Sequence, residues 1–581
     1  MRAREAFYRF DQIMHSADWI VLSAYLAGTV LLGILLGRMV KNSSDFFSAG
    51  GKSPWWTSGL SAFMTMFSAN TFVVWGGVAF KHGLVAVMIN LMYGIAALLV
   101  GRFVAGRWKE IGVRTPAEFV ERRFGGAALH FYTWMLMTLR VVGSAGALYA
   151  IARLMVAATG GNQSADKWLG IAIVTFGVII VVYTMMGGLW AVLMTDVLQF
   201  IILNLSVIFV VVLTLMQIGD PGPIFQNAPE GFFSLTSGPK YTWFFLIGWL
   251  AIHYFMIGAE WAFVQRSLCV PTAKDARKAN YLFGVLYLVS PFLWLPPPLL
   301  WRLRNPIPEG ASEAEITALA ENAYILSCQS VLPVGMVGLM MAAMFSATAS
   351  LVSTQLNVFS SVLTNDIYGR LRPGLDDRQL VRAGRVFTVL LGIVISGIAL
   401  GIPFLGGAER VVIAVTELMV VPLLAPCLWG LFNRKVPTRA LWWTVGLCFP
   451  LGLAFRFAMP AGDAGLIGWL NANSKLVETF IGVVLPLLVT AATVALARRE
   501  SPGWARVEAL DKDTGEPDPK SSRVPALVVG WSMAACSLMM FVLTLVNEQS
   551  RGELLAFAAA LGVVSAVTLK LSGQKPNEFS E

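Results

Sequence analysis

The sequence predicts an all-α integral membrane protein of about fifteen transmembrane helices. Three observations carry that prediction. The 581 residues are 56% hydrophobic and 13% charged, against about 25% charged in soluble domains. Apolar stretches of about 20 residues, enough to cross a hydrocarbon core of about 30 Å, recur along the whole chain. The loops between them alternate in basic content, as loops on two sides of a bilayer do.

The spans read as 17–37, 55–80, 84–106, 127–158, 168–186, 191–217, 240–263, 277–301, 333–364, 383–402, 409–431, 438–458, 474–497, 525–545 and 553–571. The first follows Arg2, Arg4 and Arg9 as a signal peptide would. Its apolar run exceeds a typical signal core and no small-residue cleavage site precedes Arg38, so it reads as a retained helix. The second, SGLSAFMTMFSANTFVVWGGVAF, mixes Ser, Thr and Asn at mid-depth with the Gly76-Gly77 pair. The seventh, GWLAIHYFMIGAEWAFVQR, sets His253, Gly258 and Glu260 in an apolar frame. Both read as interrupted helices, whose free carbonyls and half-helix dipoles serve ions and solutes in transporters. Plain glycine kinks with incidental polar residues are the other reading.

The ninth span lies in LPVGMVGLMMAAMFSATASLVSTQLNVFSSVLTNDIY, residues 332–368, an apolar helix crowded with hydroxyls. A hydroxyl in lipid costs free energy unless it finds a partner. The helix therefore packs against protein through small residues, or it also lines a polar path. Arg140, Arg153, Glu260 and Glu417 also fall within spans. A charge at mid-depth costs at least about 2.5 kcal/mol, so each is expected to pair with an acid, a base or a carbonyl inside the bundle. The sequence leaves open which pairs form.

Arg102, Arg107, Lys109, Arg114, Arg122 and Arg123 crowd one face, with Arg266, Lys274, Arg277 and Lys278, the 370–385 arginines, Arg434, Lys435 and Arg439, and Arg498, Arg499 and Arg506. The loops 218–239 and 403–408 carry few bases. Fifteen spans put every basic loop on the cytoplasmic face, the N-terminus outside and the C-terminus inside. The net charge of +9 thus belongs to the membrane topology rather than to nucleic acid. Loop 302–320 is external, with a short acidic surface helix in its second half. The stretch 498–524, rich in Pro and charge, reads as a cytoplasmic linker. Five scattered cysteines and four scattered histidines lack metal-site spacing. With no nucleophile elbow, zinc or phosphate-loop motif, neither an enzyme nor an ATP-driven pump is indicated.

Four segments are familiar. RTPAEFVERRFG (114–125), MGGLWAVLMTDVLQ (186–199), VQRSLCVPTAKDARKA (264–279) and the 332–368 helix, ending LTNDIYGRL, resemble the sodium:solute symporter family. That family carries sugars, proline, pantothenate, sialic acid, iodide and vitamins with sodium. The resemblance runs in register from about Asp45 to Phe432. It implies the leucine-transporter-type fold, five helices from the second span to the sixth repeated upside down from the seventh to the eleventh. The implied organisation is a first helix and tail over 1–42 and a core over 43–432, with repeats at about 50–217 and 240–432. Two further helices over 433–497, the 498–524 linker, and a helix pair and tail over 525–581 complete it.

The resemblance also implies a sodium site from carbonyls at Met64 and Phe67, a carbonyl at Ala347 and the hydroxyl of Ser350. Oxygen ligands suit a hard cation. Leu351 stands where the family usually has a second hydroxyl, and Thr348, Ser353, Thr354 or water are the possible replacements. Asp196 resembles a carboxylate on the ion's cytoplasmic exit route, or is a helix-end acid paired with a cytoplasmic Arg. The implied solute positions are Met66, Thr71, Asn90, His253, Met256, Tyr287 and Thr416. They match neither a sugar site nor a proline site. Trp75, Phe67 and Tyr287 offer flat faces for a ring or an apolar body. The expectation is sodium-driven symport of a small organic solute across the plasma (inner) membrane by alternating access, with sodium, the solute and lipid as partners. A proton-coupled or uncoupled carrier, or a solute sensor, is the alternative. Solute identity and oligomeric state lie outside the sequence.

Overall fold

The computed structural model describes residues 14–37, 53–159, 165–217, 228–238, 240–402, 408–455, 465–510, 524–546 and 551–573, with 222, 226 and 459. Among the described residues the chain is helical and has no strand, apart from one isolated bridge between Ser237 and Tyr241. Among the described residues ten helices are long and apolar enough to cross a membrane, or twelve when each of two bent pairs counts as one span. The remaining expected spans also meet helices. These are α1 (Ser16–Gly37), α14 (Ala408–Phe432) and α15 (Thr438–Leu453), and α15, with 16 residues, reaches only about 24 Å.

The second span is a bent pair, α2 (Trp55–Met66) and α3 (Thr71–His82), meeting at 60°. Phe67 turns extended at the end of α2, with φ −91° and ψ 137°, and its N–H bonds back to the Met64 carbonyl. α3 opens on a wide π-helical turn, Thr71–Trp75, a departure from regular helix that gathers at functional sites. The seventh span is the other bent pair, α8 (Trp243–Ala259) and α9 (Trp261–Leu268), at 51°. Glu260 is extended at that break, and its carboxylate accepts the Ala262 N–H, capping α9. The Gly258 carbonyl freed there accepts from Trp108 Nε1 at 2.7 Å. Both expected interruptions are thus true breaks, and at each a backbone group freed from the helix finds a partner, as lipid favours.

Between the pairs lie α4 (Val85–Glu110), α5 (Pro116–Phe124), α6 (Gly126–Ala158) and α7 (Ala165–Met216). A straight helix of 52 residues would run about 78 Å, more than twice a bilayer core. α7 accordingly holds two apolar runs of spanning length, Trp168–Met186 and Val192–Met216. α10 (Ala273–Arg304) follows the second break and is interrupted at Ser290–Pro291 and at Leu295–Pro296, where proline cannot supply the N–H. The external surface helix expected in 302–320 is longer than expected. α11 (Glu313–Val331) starts at a capping box of Ser312 and Glu315 and docks on α3 by setting Tyr324 against Phe72 at 4.6 Å.

The hydroxyl-rich helix is α12 (Met336–Leu371), whose apolar window is 94% buried, the highest share of any span. It is a central pillar with no lipid face to speak of. At Gly338 a Cβ would meet the Asp18 carbonyl of α1 at 2.1 Å, so glycine is what lets α1 close on it. α13 (Asp377–Gly401), α14, α15 and α16 (Ser474–Ala495) complete the main bundle.

On one end of the bundle, α5 is tied to the end of α14. Arg123 is fully buried and donates to the carbonyls of Gly430, Asn433 and Val436. From sequence it belongs with the bases that crowd one face; the carbonyls at the end of α14 draw it inside. The 498–524 stretch is likewise not all linker. α17 (Pro502–Glu508) packs on α5, with Arg506 Nε donating to the Arg122 carbonyl at 2.9 Å and Trp504 over the Arg123 guanidinium. Residues 511–523 lie outside the described residues. α18 (Val524–Val546) and α19 (Arg551–Gly573) pair with each other beyond them.

Candidate functional site

Both breaks face α12. The Ala69 N–H donates to Thr348 Oγ1 at 3.0 Å, and Thr65 Oγ1 lies 3.5 Å from Thr354 Oγ1. The end of α2, with Met64 and Phe67, therefore sits on the α12 segment that contains Ala347 and Ser350. The last carbonyls of a helix lack intrahelical donors; that of Met64 accepts the Phe67 N–H at 3.2 Å and keeps a second lone pair. Ser350 Oγ is buried and makes no hydrogen bond of regular geometry, with the Asp196 carboxylate beside it, an uncommon state for a hydroxyl inside a protein. Neighbouring hydroxyls are committed elsewhere. Ser353 bonds the Ser350 carbonyl, and Tyr183 donates to the Ala349 carbonyl.

Asp196, on α7, is also fully buried. It accepts a hydrogen bond from Ser61, and its other oxygen has no partner. Arg266 of α9 approaches it at 3.9 Å. Arg266 also donates Nε to Ser61 at 3.1 Å, Nη2 to Thr354 at 2.7 Å and Nη1 to Gln265 at 2.9 Å. Gln265 in turn reaches Asn357. One guanidinium thus ties α2, α7, α9 and α12 together beneath the first break. Arg266, counted from sequence among the bases of one face, is only 1% exposed and is the counter-charge of Asp196, the pairing with an Arg that the sequence offered as the alternative for this acid. Its position six residues past Glu260 was the available signal, since that places it on the second half of the broken helix.

Beside this cluster lies a cavity of about 130 Å³. Of the expected solute positions, Met66, Thr71, His253, Met256 and Thr416 line it. Leu351 lines it too, so the residue in place of a hydroxyl faces the cavity. Asn90 and Tyr287 lie off it. The Asn90 amide turns back to the Ala86 carbonyl at 2.8 Å. Tyr287 is stacked behind Tyr93, at 5.3 Å between rings, and Tyr93 takes its place in the wall. Phe67 is likewise packed away against Trp294, at 4.1 Å, whereas Trp75 does line the cavity.

Sequence reasoning missed Tyr93, Trp249 and Gln355, which all line the cavity. Helical spacing held the clue, because Tyr93 follows Asn90 by three, Trp249 precedes His253 by four and Gln355 follows Leu351 by four. Trp75, Tyr93 and Trp249 stand edge to face with centroids 5.6 to 6.4 Å apart. His253 Nδ1 lies 2.8 Å from the Trp249 carbonyl. A carbonyl only accepts, so Nδ1 carries the proton and Nε2 is left as an acceptor in neutral imidazole.

The charges expected within spans separate into two cases. Arg140 Nε stands 3.3 Å from Glu260 Oε1, so α6 is paired to the α8–α9 break. Arg153 is exposed five residues before the end of α6, where a long side chain reaches the interface. The Glu417 side chain lies outside the described residues. Among the described residues no cluster of three or more His, Cys, Asp or Glu could hold a metal, and all five cysteines are free.

Comparison with known proteins gives this arrangement a family. The family model described as "Sodium:solute symporter family" matches residues 46–445. A sodium/glucose cotransporter of Vibrio parahaemolyticus is 28% identical over 480 residues, 77% of this chain and 87% of that protein. A sodium/sialic acid symporter of Aliivibrio fischeri is 26% identical over 401 residues, 66% of this chain and 76% of that protein. A solved outward-open, substrate-bound sodium-coupled sialic acid symporter superposes with a TM-score of 0.68 at 21% identity, covering 83% of this chain and 98% of its own. That likeness establishes the shared fold. This chain belongs to the sodium:solute symporter family, multi-pass membrane transporters coupled to sodium rather than enzymes.

Proposed function

We propose that this protein drives a small organic solute across the plasma membrane with sodium, by alternating access around the α2–α3 and α8–α9 breaks. The observation that carries the reading is the oxygen-rich contact of the first break with α12, where Ser350 Oγ is buried beside Asp196 and makes no hydrogen bond of regular geometry. Sodium sits among the carbonyls of Met64, Phe67 and Ala347 and the Ser350 hydroxyl. Asp196, with one oxygen free, receives the ion on its way to the cytoplasm. The solute occupies the cavity bounded by Met66, Thr71, His253, Met256 and Thr416, with Tyr93 in the wall in place of Tyr287.

The two bent spans open two inverted repeats, α2 to α7 and α8 to α14, within about fifteen spans. The helix ahead of them, the two after them and the α18–α19 pair frame this core. The arginine-rich ends face the cytoplasm, the N-terminus outside and the C-terminus inside. Repeats that rock about a midplane site expose it to each side in turn.

The test is uptake into proteoliposomes, with sodium replaced by choline as control. Asp196→Asn and Ser350→Ala each lower sodium-dependent uptake at subsaturating sodium. Uptake that both variants leave intact removes the site assignment, and uptake indifferent to choline replacement removes the sodium drive.

A further inference from the structure

The helix α17 lies beyond residues 46–445, the part of the chain that the family model matches, and the transport reading gives it no task. It nonetheless has a fitted seat. Gly503, Trp504 and Val507 are buried, while Ala505, Arg506 and Glu508 face out. A Cβ on Gly503 would meet the Arg123 carbonyl at 1.8 Å, so the backbones of α17 and α5 touch where only glycine lets them. Beside that contact Arg506 Nε donates to the Arg122 carbonyl, and the Ser501 N–H donates to the Arg434 carbonyl at 3.0 Å. The Arg434 side chain pairs with Glu500 at 3.7 Å and Glu508 at 2.9 Å. Trp504 has the guanidinium groups of both Arg123 and Arg434 over its ring, each at 5.7 Å, a favourable placement for a cation.

The seat matters because of what α5 bridges. On one side Phe119 of α5 packs on Trp108 at 5.0 Å, and Trp108 holds the Gly258 carbonyl freed at the second break. On the other side Glu121 pairs with Arg370 at the end of α12, and Arg123 holds the end of α14. α5 therefore joins a broken helix to the pillar it must move against when the site opens at the arginine-rich end. In this structure those ends are together, since Arg266 of α9 reaches Ser61 of α2 and Thr354 of α12. A segment that binds one arrangement of α5 opposes every other by its differential affinity.

We propose that α17 is a built-in strap on this gate, a piece of the chain itself that holds α5 on α14 and so keeps the arginine-rich ends of α2 and α9 closed. The gate opens when α17 leaves its seat. This inference rests on the alternating-access reading above and adds a brake to it.

Cys269 reports the opening without an added label. It follows the last residue of α9, is 1% exposed, and its Sγ lies 3.2 Å from Ser58 Oγ of α2. A reagent reaches it when the two helix ends part. Cys328, fully buried on α11, reports general loosening. The experiment is the rate of N-ethylmaleimide alkylation at each thiol, read by peptide mass spectrometry on the purified full-length protein in sodium chloride. Gly503→Ala denies α17 its seat with one methyl and keeps it helical, alanine being the better helix former. Cys269 alkylation then rises roughly threefold or more, while Cys328 does not change. Ala505→Leu, with more bulk on the exposed face, leaves both rates at the parent's values. An unchanged or slower Cys269 rate in Gly503→Ala overturns the proposal. So does a rise shared equally by Cys328, which marks a structural tie and no gate, or an equal rise in Ala505→Leu. If Gly503→Ala does not fold, Trp504→Ala decides by the same ratio. Cys269 reactive in the parent but indifferent to both seat substitutions overturns this inference alone. Cys269 silent in parent and variants alike until the chain unfolds overturns the alternating access beneath it.

Discussion

Replacing Arg266 with Met removes the counter-charge of a fully buried carboxylate. Asp196 would keep the hydroxyls of Ser61 and Ser350 but no charge partner, and Ser61 and Thr354 would each lose a donor from the guanidinium. Breaking a buried pair by removing one partner costs about 3–5 kcal/mol, because the remaining charge has no compensation. At about 2.1 cal/mol/K of unfolding entropy per residue, 581 residues turn that into a fall of roughly 2.5–4 °C in Tm. Differential scanning fluorimetry in detergent reads it. Arg266→Met combined with Asp196→Asn removes both charges and recovers most of the loss. The coupling in that double-mutant cycle is about 1–3 kcal/mol. A loss below about 1 °C in Arg266→Met, or two losses that simply add, refutes the view that this guanidinium holds the break to α7 and α12.

Gly338→Val drives a side chain into the Asp18 carbonyl, 2.1 Å from the Cβ position; α1 must shift, and stability in the same assay falls by about 1–3 kcal/mol. The hydrogen bond from Arg370 holds the Glu121 carboxyl below its ordinary value of 4.5. With the folded pKa depressed, this contribution is complete above the unfolded value and lost as pH falls through the folded one. The pair is largely exposed, so the effect is about 1 kcal/mol or less, and Glu121→Gln loses correspondingly less stability than the parent on acidification. Leu351→Ser places an oxygen beside Ser350 and tightens sodium binding by roughly threefold or more, read as a lower midpoint in a sodium titration. A cysteine introduced in 511–523 resists an impermeant thiol reagent added outside intact cells; labelling there inverts the proposed topology.

Much of the architecture was legible because lipid makes it so. A bilayer forces long apolar helices, and the polar residues Ser68, Asn70 and Thr71 and the Gly258–Glu260 stretch marked the two spans that break, whereas Gly76-Gly77 lie in regular helix. The hydroxyls of α12 likewise announced a helix without a lipid face. Side-chain direction was less legible. Asn90 and Tyr287 stand on the right helices, yet one folds onto its own backbone and the other sits behind Tyr93. Spacing from a known position fixes the turn of a helix but not which neighbour reaches the cavity first. The burial of Arg123 and Arg266 was illegible for a related reason. Charge composition marks the end of a helix, but only tertiary contacts decide whether a base there faces water or a ring of buried acceptors.

The most direct measurement is the thermal stability of the purified protein across a sodium titration, with potassium and choline as controls. A ligand of the folded state stabilises by mass action, about 2.7 kcal/mol at a hundred times its dissociation constant. The account predicts a rise specific to sodium that Ser350→Ala abolishes or shifts to much higher concentration. A folded protein whose stability responds identically to sodium, potassium and choline, or whose sodium response survives Ser350→Ala unchanged, contradicts the cation site at the contact of the first break with α12.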